Sequence, residues 1–316
     1  TNFINNSAGD SGGALNFLRT RYTLDIVAQN KDVLFQDNTA GKMGGAIQSD
    51  TSTAGYDSTY INITSENDNK VKFINNSVVN TNNSETATIN NAYGGAIANN
   101  IRYGSTAAHY INIIADFTGN SATSENGDAN GGAIYNTGNI DNIDGTFTGN
   151  TTNSSGTTGY ANGGAIYHIT GTIGNIGGTF EDNVATSSNL SSMGGALFNQ
   201  GTINEINADF IHNGAVADYV AVGGAISNNN GTIGRIIGDF TNNYLTTNQH
   251  SSGGAIRNRG TIDYINGTYS GNRVISYANG DYTTAGGAIH NLAGSTINTI
   301  DADFTGNYVR SEERRV

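Results

Sequence analysis

Gly131–Asn150 reads GGAIYNTGNIDNIDGTFTGN. It is rich in Gly, Thr, Asn and Ile and holds no Leu, Lys, Glu or Gln, a composition that disfavours helix. Its apolar residues show no sustained 3.6-residue period. Alternation in steps of two predicts instead that Ile134 points inward with Gly132 and Asn136, and that Tyr135 points out. A second strand carries Ile140 inward. The three-residue step to Ile143 breaks the alternation and predicts a bend or bulge. Alternation resumes through Ile143, Gly145 and Phe147, and Asn150 closes the strand at a corner.

The same pattern recurs along the chain. Gly-Gly-Ala-Ile/Leu begins at Gly12, Gly44, Gly94, Gly131, Gly163, Gly194, Gly223, Gly253 and Gly286. Phe/Tyr-x-x-Asn alternates with it, from Phe3, Phe35, Phe73, Phe117, Phe147, Phe180, Phe210, Phe240, Tyr269 and Phe304. A fixed period of this kind means stacked units, hence a solenoid. From Gly131 onward, the steps from the first Gly to the next Phe/Tyr are 16, 17, 16, 17, 16 and 18 residues. The steps from Phe/Tyr to the next Gly-Gly range from 9 to 21. The first segment reads as a wall of fixed path length, the second as a loop open to insertion. The expected fold is an all-β, single-stranded parallel β-helix of about nine coils, each with three short strands in its wall. At about 4.8 Å per coil it would form a rod some 40 Å long. The general crossover preference makes it right-handed. Residues 1–309 form one repeat domain, with irregular coils over 1–130 and regular Gly-Thr-Ile-x-x-Ile coils over 131–309.

Stacking gives each position a role. Burying each stacked Ile contributes about 1.5–3 kcal/mol. Asn99, Asn136, Asn199, Asn228, Asn258 and Asn291 recur at one corner, where amides can hydrogen-bond along the axis. Gly138, Gly201, Gly231 and Gly260 follow, as expected for a turn with positive φ. The slot after Gly-Gly-Ala-Ile holds Asn16, Gln48, Ala98, Tyr135, Tyr167, Phe198, Ser227, Arg257 and His290. A slot that accepts Arg, Gln and Phe is expected to face solvent.

The alternating GGAI and FxxN motifs resemble the passenger domains of chlamydial polymorphic membrane proteins and related autotransporter adhesins. The resemblance runs from Phe3 to Asn307. It implies a right-handed parallel β-helix exported to a bacterial surface, acting in adhesion to a host-cell surface protein or glycan. It also implies a C-terminal β-barrel as membrane anchor, a segment this sequence does not contain. The Gly-Thr-Ile-x-x-Ile insert from Gly138 onward departs from the chlamydial pattern, which makes a broader adhesin-like group the better comparison.

Composition sets further bounds. Cys is absent, so disulfides and thiolate metal sites are excluded. Pro is absent too, which suits a continuous parallel ladder whose strand interiors need every amide. A net charge of −12 disfavours nucleic acid and anionic membrane surfaces as partners. The tail Arg310–Val316 (RSEERRV) breaks the composition. It reads as non-native, matching one frame of a common sequencing adapter, with a short charged linker as the alternative. Thr1 opens in mid-motif without an initiator Met or signal peptide. Capping coils are therefore expected to lie elsewhere, and the isolated fragment to fray or associate through its edges.

Parallel β-helices also carry polysaccharide lyases and hydrolases, so a carbohydrate-active enzyme is the alternative function. Such chemistry needs clustered carboxylates, often with Ca²⁺. The nearest candidates are Asp116, Asp209, Asp239 and Asp303 in the slot before Phe, with Arg235 nearby. Asp209 and Asp239 fall in consecutive coils, where they could share a cation or raise one pKa. Thr146, Thr179 and Thr268 fill the same slot elsewhere, which favours scaffold. The five His residues show no metal-ligand spacing. No catalytic residues and no cofactor are expected. Ligand binding is expected at the outward aromatic column Tyr135, Tyr167 and Phe198, whose rings could stack on one another or on sugars. It is also expected at Tyr160, Tyr277 and Tyr282, which with Tyr219 and Tyr244 fall in the variable segments.

Overall fold

The computed structural model describes residues 1–18, 22–50, 59–81, 90–100, 109–277 and 283–311. They form an all-β solenoid of about nine turns, built from four parallel sheets and no helix. The coil from Gly131 shows the plan. Ile134–Asn136 lies in sheet I, Ile140–Asp144 and Thr146–Thr148 in sheet II, Thr151–Ser154 in sheet III, and Ala161–Asn162 in sheet IV. The three wall strands are as the spacing predicts. The stretch read as loop adds two more strands, so the insertions sit between sheets III and IV instead of replacing them.

Register is like on like. Ile134 lies beside Ile166, Asn142 beside Asn175, and Phe147 beside Phe180. The Phe/Tyr rings form one stack from Phe3 to Phe304, with successive centroids 4.4 to 5.1 Å apart. Ile residues from sheets I and II fill the rest of the main core. The expected break between Ile140 and Ile143 is present. Pairing skips Asp141, and it skips Gly174 and Asn204 at the same place in the next coils. Because every regular coil carries the irregularity, the ladder keeps its register through it.

The Gly-Gly pair pinches the cross-section. Its first Gly has φ between 58° and 75° in all nine copies, a region that side chains avoid. The second lies against backbone on two sides. A Cβ on Gly164 would meet Gly195 O at 2.1 Å and Val184 N at 2.6 Å. This waist separates the Ile/Phe core from a smaller lobe between sheets III and IV, lined by Ala215, Ala217, Ala221, Leu245 and Val274.

Two buried asparagine ladders run along the rod. The one at Asn99 and Asn136 is as expected, with amide-to-amide distances of 2.6 to 2.9 Å. The other consists of the Asn of every Phe-x-x-Asn, from Asn6 to Asn307. Asn183 shows the pattern. Its Oδ1 accepts from Asn150 N and Nδ2, and its Nδ2 donates to Phe147 O and Asn213 Oδ1. The residue before each of these asparagines is left-handed, φ 53° to 65°, and is always Asn, Asp, Gly or His, the types that tolerate it best.

One expectation about glycine is corrected. Gly201, Gly231 and Gly260 have no positive φ. They are required for space. A Cβ would fall 2.3 Å from His168 Nε2 at Gly201, 2.3 Å from Asn199 Nδ2 at Gly231, and 2.1 Å from Gly231 O at Gly260.

Candidate binding surface

The slot after Gly-Gly-Ala-Ile does not face open solvent. Tyr135 and Tyr167 are 9% exposed and Phe198 2%. The sharp Gly-Gly turn folds sheet IV back beside sheet I, so their outward side chains meet in a trough. Tyr135, Tyr167 and Phe198 pack there with Tyr93, Met193 and Ile169. The Tyr167 and Phe198 rings stack at 4.9 Å, and Tyr135 and Tyr167 at 5.6 Å. Stacked rings spend their faces on one another, which leaves no flat surface for a sugar. Burial pushes both Tyr135 and Tyr167 phenols far above their ordinary pKa. These three residues form a satellite core where an outward-facing column was expected.

The trough continues past the aromatics as Ser227, Arg257 and His290, one residue per coil. Arg257 is half-buried, and burial followed by the like charge of Arg259 lowers its pKa to about 10, so it stays charged at neutral pH. His290 is lowered by burial and then by Arg257.

The other expected residues are dispersed. Tyr160 and Tyr219 are exposed ahead of sheet IV. Tyr244 sits in a sheet III strand, with Arg273 over its ring at 5.0 Å, so it is not a loop residue. Tyr277 follows a sheet III strand and is half-buried. Tyr282 lies outside the described residues.

Three of the carboxylates before Phe accept backbone amides of the next coil. Asp209 Oδ1 accepts Asp239 N at 2.9 Å, Asp239 Oδ1 accepts Thr268 N at 2.8 Å, and Asp116 Oδ1 accepts Thr146 N at 3.1 Å. Asp239 and Thr268 each follow a Gly with a large positive φ, Gly238 at 148° and Gly267 at 122°. Asp209 and Asp239 thus engage backbone amides of the next coil. Among the described residues no group of three or more His, Asp or Glu could hold a metal ion.

Two features of the outer face of sheet II escaped sequence reasoning. Tyr60 and Tyr110 are exposed and stacked at 4.9 Å. Beside them, Asp25, Asn62, Asn112, Asn142 and Asn175 form a surface ladder with donor–acceptor distances of 2.8 to 3.2 Å. The available signal was the residue before the second Ile of each Ile-x-x-Ile. It reads Asn142, Asn175, Glu205, Arg235 and Tyr264 in successive coils.

No curated protein and no solved structure matches the chain significantly. Residues 32–50 and 115–137 match the model of the Chlamydia polymorphic membrane protein repeat. Each match joins one Phe-x-x-Asn segment to neighbouring wall strands, so two segments of this β-solenoid are similar to the polymorphic membrane protein repeat, consistent with an autotransporter passenger-like repeat protein.

Proposed function

We propose that this chain is a non-enzymatic adhesin-like passenger at the bacterial cell surface, displaying side chains and inter-sheet insertions to a host surface protein or glycan. The observation that carries the reading is the repeat match, because polymorphic membrane proteins are proteins of the outer membrane and surface. The architecture supports it. A stack with two asparagine ladders and one ring stack keeps its shape while the segments between sheets III and IV vary. The engagement of Asp209 and Asp239 by backbone amides favours scaffold over hydrolytic chemistry.

The test is attachment of cells to surfaces coated with the purified chain, repeated after shortening each insertion between sheets III and IV in turn. Attachment that falls with at least one shortened insertion is expected. Attachment unaltered by every shortening, or release of product from acidic polysaccharides, would overturn the reading.

A further inference from the structure

We propose that Arg257, between Ser227 and His290 in the trough of sheet I, forms a binding site for an oxyanion: a carboxylate, sulfate or phosphate group. The site goes beyond the adhesin reading and does not depend on it.

Three successive rungs of one column each hold a buried polar atom without a partner. These are Ser227 Oγ, Arg257 Nε and His290 Nδ1. Ser227 is fully buried although its side chain points out of the sheet. Other buried polar atoms also lack a partner, among them Gln48 Oε1, Asn99 Oδ1, His168 Nε2 and Asn199 Oδ1, but among the described residues no other column holds three in succession. A buried unpaired donor costs about 1–3 kcal/mol, and more when charged. The run of three falls where the trough changes from aromatic to cationic.

Arg257 has no counter-ion among the described residues. Its guanidinium makes no hydrogen bond or ion pair with any described residue, whereas Arg235, on the outer face of sheet II, meets Glu205 at 3.3 Å. The charge that acts on Arg257 is that of Arg259, of the same sign. This pair of arginines stands in a chain of net charge −12 with only 14 basic residues. A planar guanidinium fork recognises carboxylate, sulfate or phosphate through paired N–H groups. Arg257 and His290 are only half-buried, and rungs about 4.8 Å apart would let one oxyanion lie against Arg257 beside His290. Arg259, exposed in the adjacent column, adds attraction. Earlier in the trough the same slot is filled by Tyr135, Tyr167 and Phe198, so an aromatic residue would pack at 257 without leaving a cation unpaired. The oxyanion supplies the partner that the protein withholds.

The test is titration calorimetry on the full chain at constant ionic strength. The probes are inorganic sulfate, inorganic phosphate and a galacturonic acid trimer, with a neutral galactose trimer as reference. Saturable binding of at least one anionic probe and none of the neutral one is expected. Tighter binding of the acidic trimer than of either inorganic ion would point to an acidic glycan, and the reverse order to a free ion. Arg257→Gln should weaken binding about tenfold or more, Arg257→Lys less, and Arg235→Gln not at all. Should Arg257→Gln not fold, the Nε resonance of Arg257 in the unaltered protein decides, since it must shift on titration. No saturable binding, an unmoved Nε resonance, or equal affinity in Arg257→Gln would overturn the proposal. Failure of cell attachment alone would leave the site standing.

Discussion

His168 occupies the position that asparagine holds at Asn136 and Asn199 in the coils on either side. It is fully buried. Asn136 Nδ2 meets its Nδ1 at 2.9 Å, which makes Nδ1 the acceptor and places the ring proton on Nε2. Nε2 then has no partner, and neither does Asn199 Oδ1 on the following rung. The backbone of Thr202 and Gly171 faces the ring without forming a hydrogen bond of normal geometry to Nε2. His168→Asn should mend the gap. The new Oδ1 would accept from Asn136, and the new Nδ2 would donate to Asn199 Oδ1, as Asn199 Nδ2 does to Asn228 Oδ1 at 2.9 Å. One hydrogen bond is worth about 1 kcal/mol net, and each relieved orphan about 1–3 kcal/mol. The smaller side chain leaves a void that offsets about 1–2 kcal/mol. The expected gain at neutral pH is about 2 kcal/mol.

Acid adds a second, independent signature. Burial lowers the pKa of His168 from 6.5 to about 4. The unfolded chain therefore binds a proton that the folded chain refuses. The stability present above pH 6.5 is lost as pH falls toward 4, and the loss is complete below it. At 1.36 kcal/mol per pH unit this amounts to about 3 kcal/mol. His168→Asn has no such group, so its advantage should widen from about 2 to about 5 kcal/mol across that window. Urea unfolding followed by circular dichroism at several pH values measures both effects. A variant less stable at neutral pH, or equal acid losses in the two proteins, would refute the reasoning.

Three further substitutions probe the stack. Gly164→Ala places a Cβ 2.1 Å from Gly195 O and 2.6 Å from Val184 N, both backbone. It should cost about 3 kcal/mol or more, seen as a large drop in thermal midpoint. Asn183→Ala removes four hydrogen bonds and leaves Asn150 N unpaired. A loss of about 3–5 kcal/mol is expected, with hydrogen exchange quickening first at the neighbouring rungs. Tyr269→Phe deletes a buried hydroxyl that has no partner and lies in the ring stack between Phe240 and Phe304. It should stabilise by about 1 kcal/mol, and a lower unfolding midpoint would contradict that account.

The solenoid was legible because its evidence is periodic. Each inward Ile and each ring of the Phe-x-x-Asn series sits next to its own copy, so like-on-like spacing in sequence is like-on-like contact in space. The same logic made the Asn99 and Asn136 ladder readable, and it read the skip at Asp141 as a bulge. Misreadings arose where neighbours are not copies. Whether Tyr135 points into water depends on sheet IV folding back against sheet I, a contact between different positions of the repeat. Period-two alternation reports which side of its own strand a residue occupies, and it carries no information about what else lies on that side. The tolerance of the slot for Arg, Gln and Phe looked like exposure. It reflects a trough whose filling changes from coil to coil, with Met193 and Tyr93 opposite the aromatics.

The contrast between core and trough bears on where binding can evolve. A core position is held by its copies above and below, so one substitution breaks two like-on-like contacts at once. Asn183 and Gly164 are such positions. A trough position shares part of its environment with sheet IV, so Ser227, Arg257 and His290 can differ from Tyr135 while Ile226, Ile256 and Ile289 behind them keep the stack. The trough thereby offers partly sheltered side chains, rigidly spaced by the ladder, whose identities the fold does not dictate. Insertions between sheets III and IV differ in length from coil to coil. A ligand that reads a charge pattern along the rod would be recognised in the trough, and a ligand that reads shape would be met by the insertions. Exchanging Arg257 for the Tyr of its predecessors should therefore abolish oxyanion binding while leaving the unfolding midpoint unchanged or raised. A midpoint that falls sharply would show that the trough is as tightly dictated as the core, and this division of labour would be wrong.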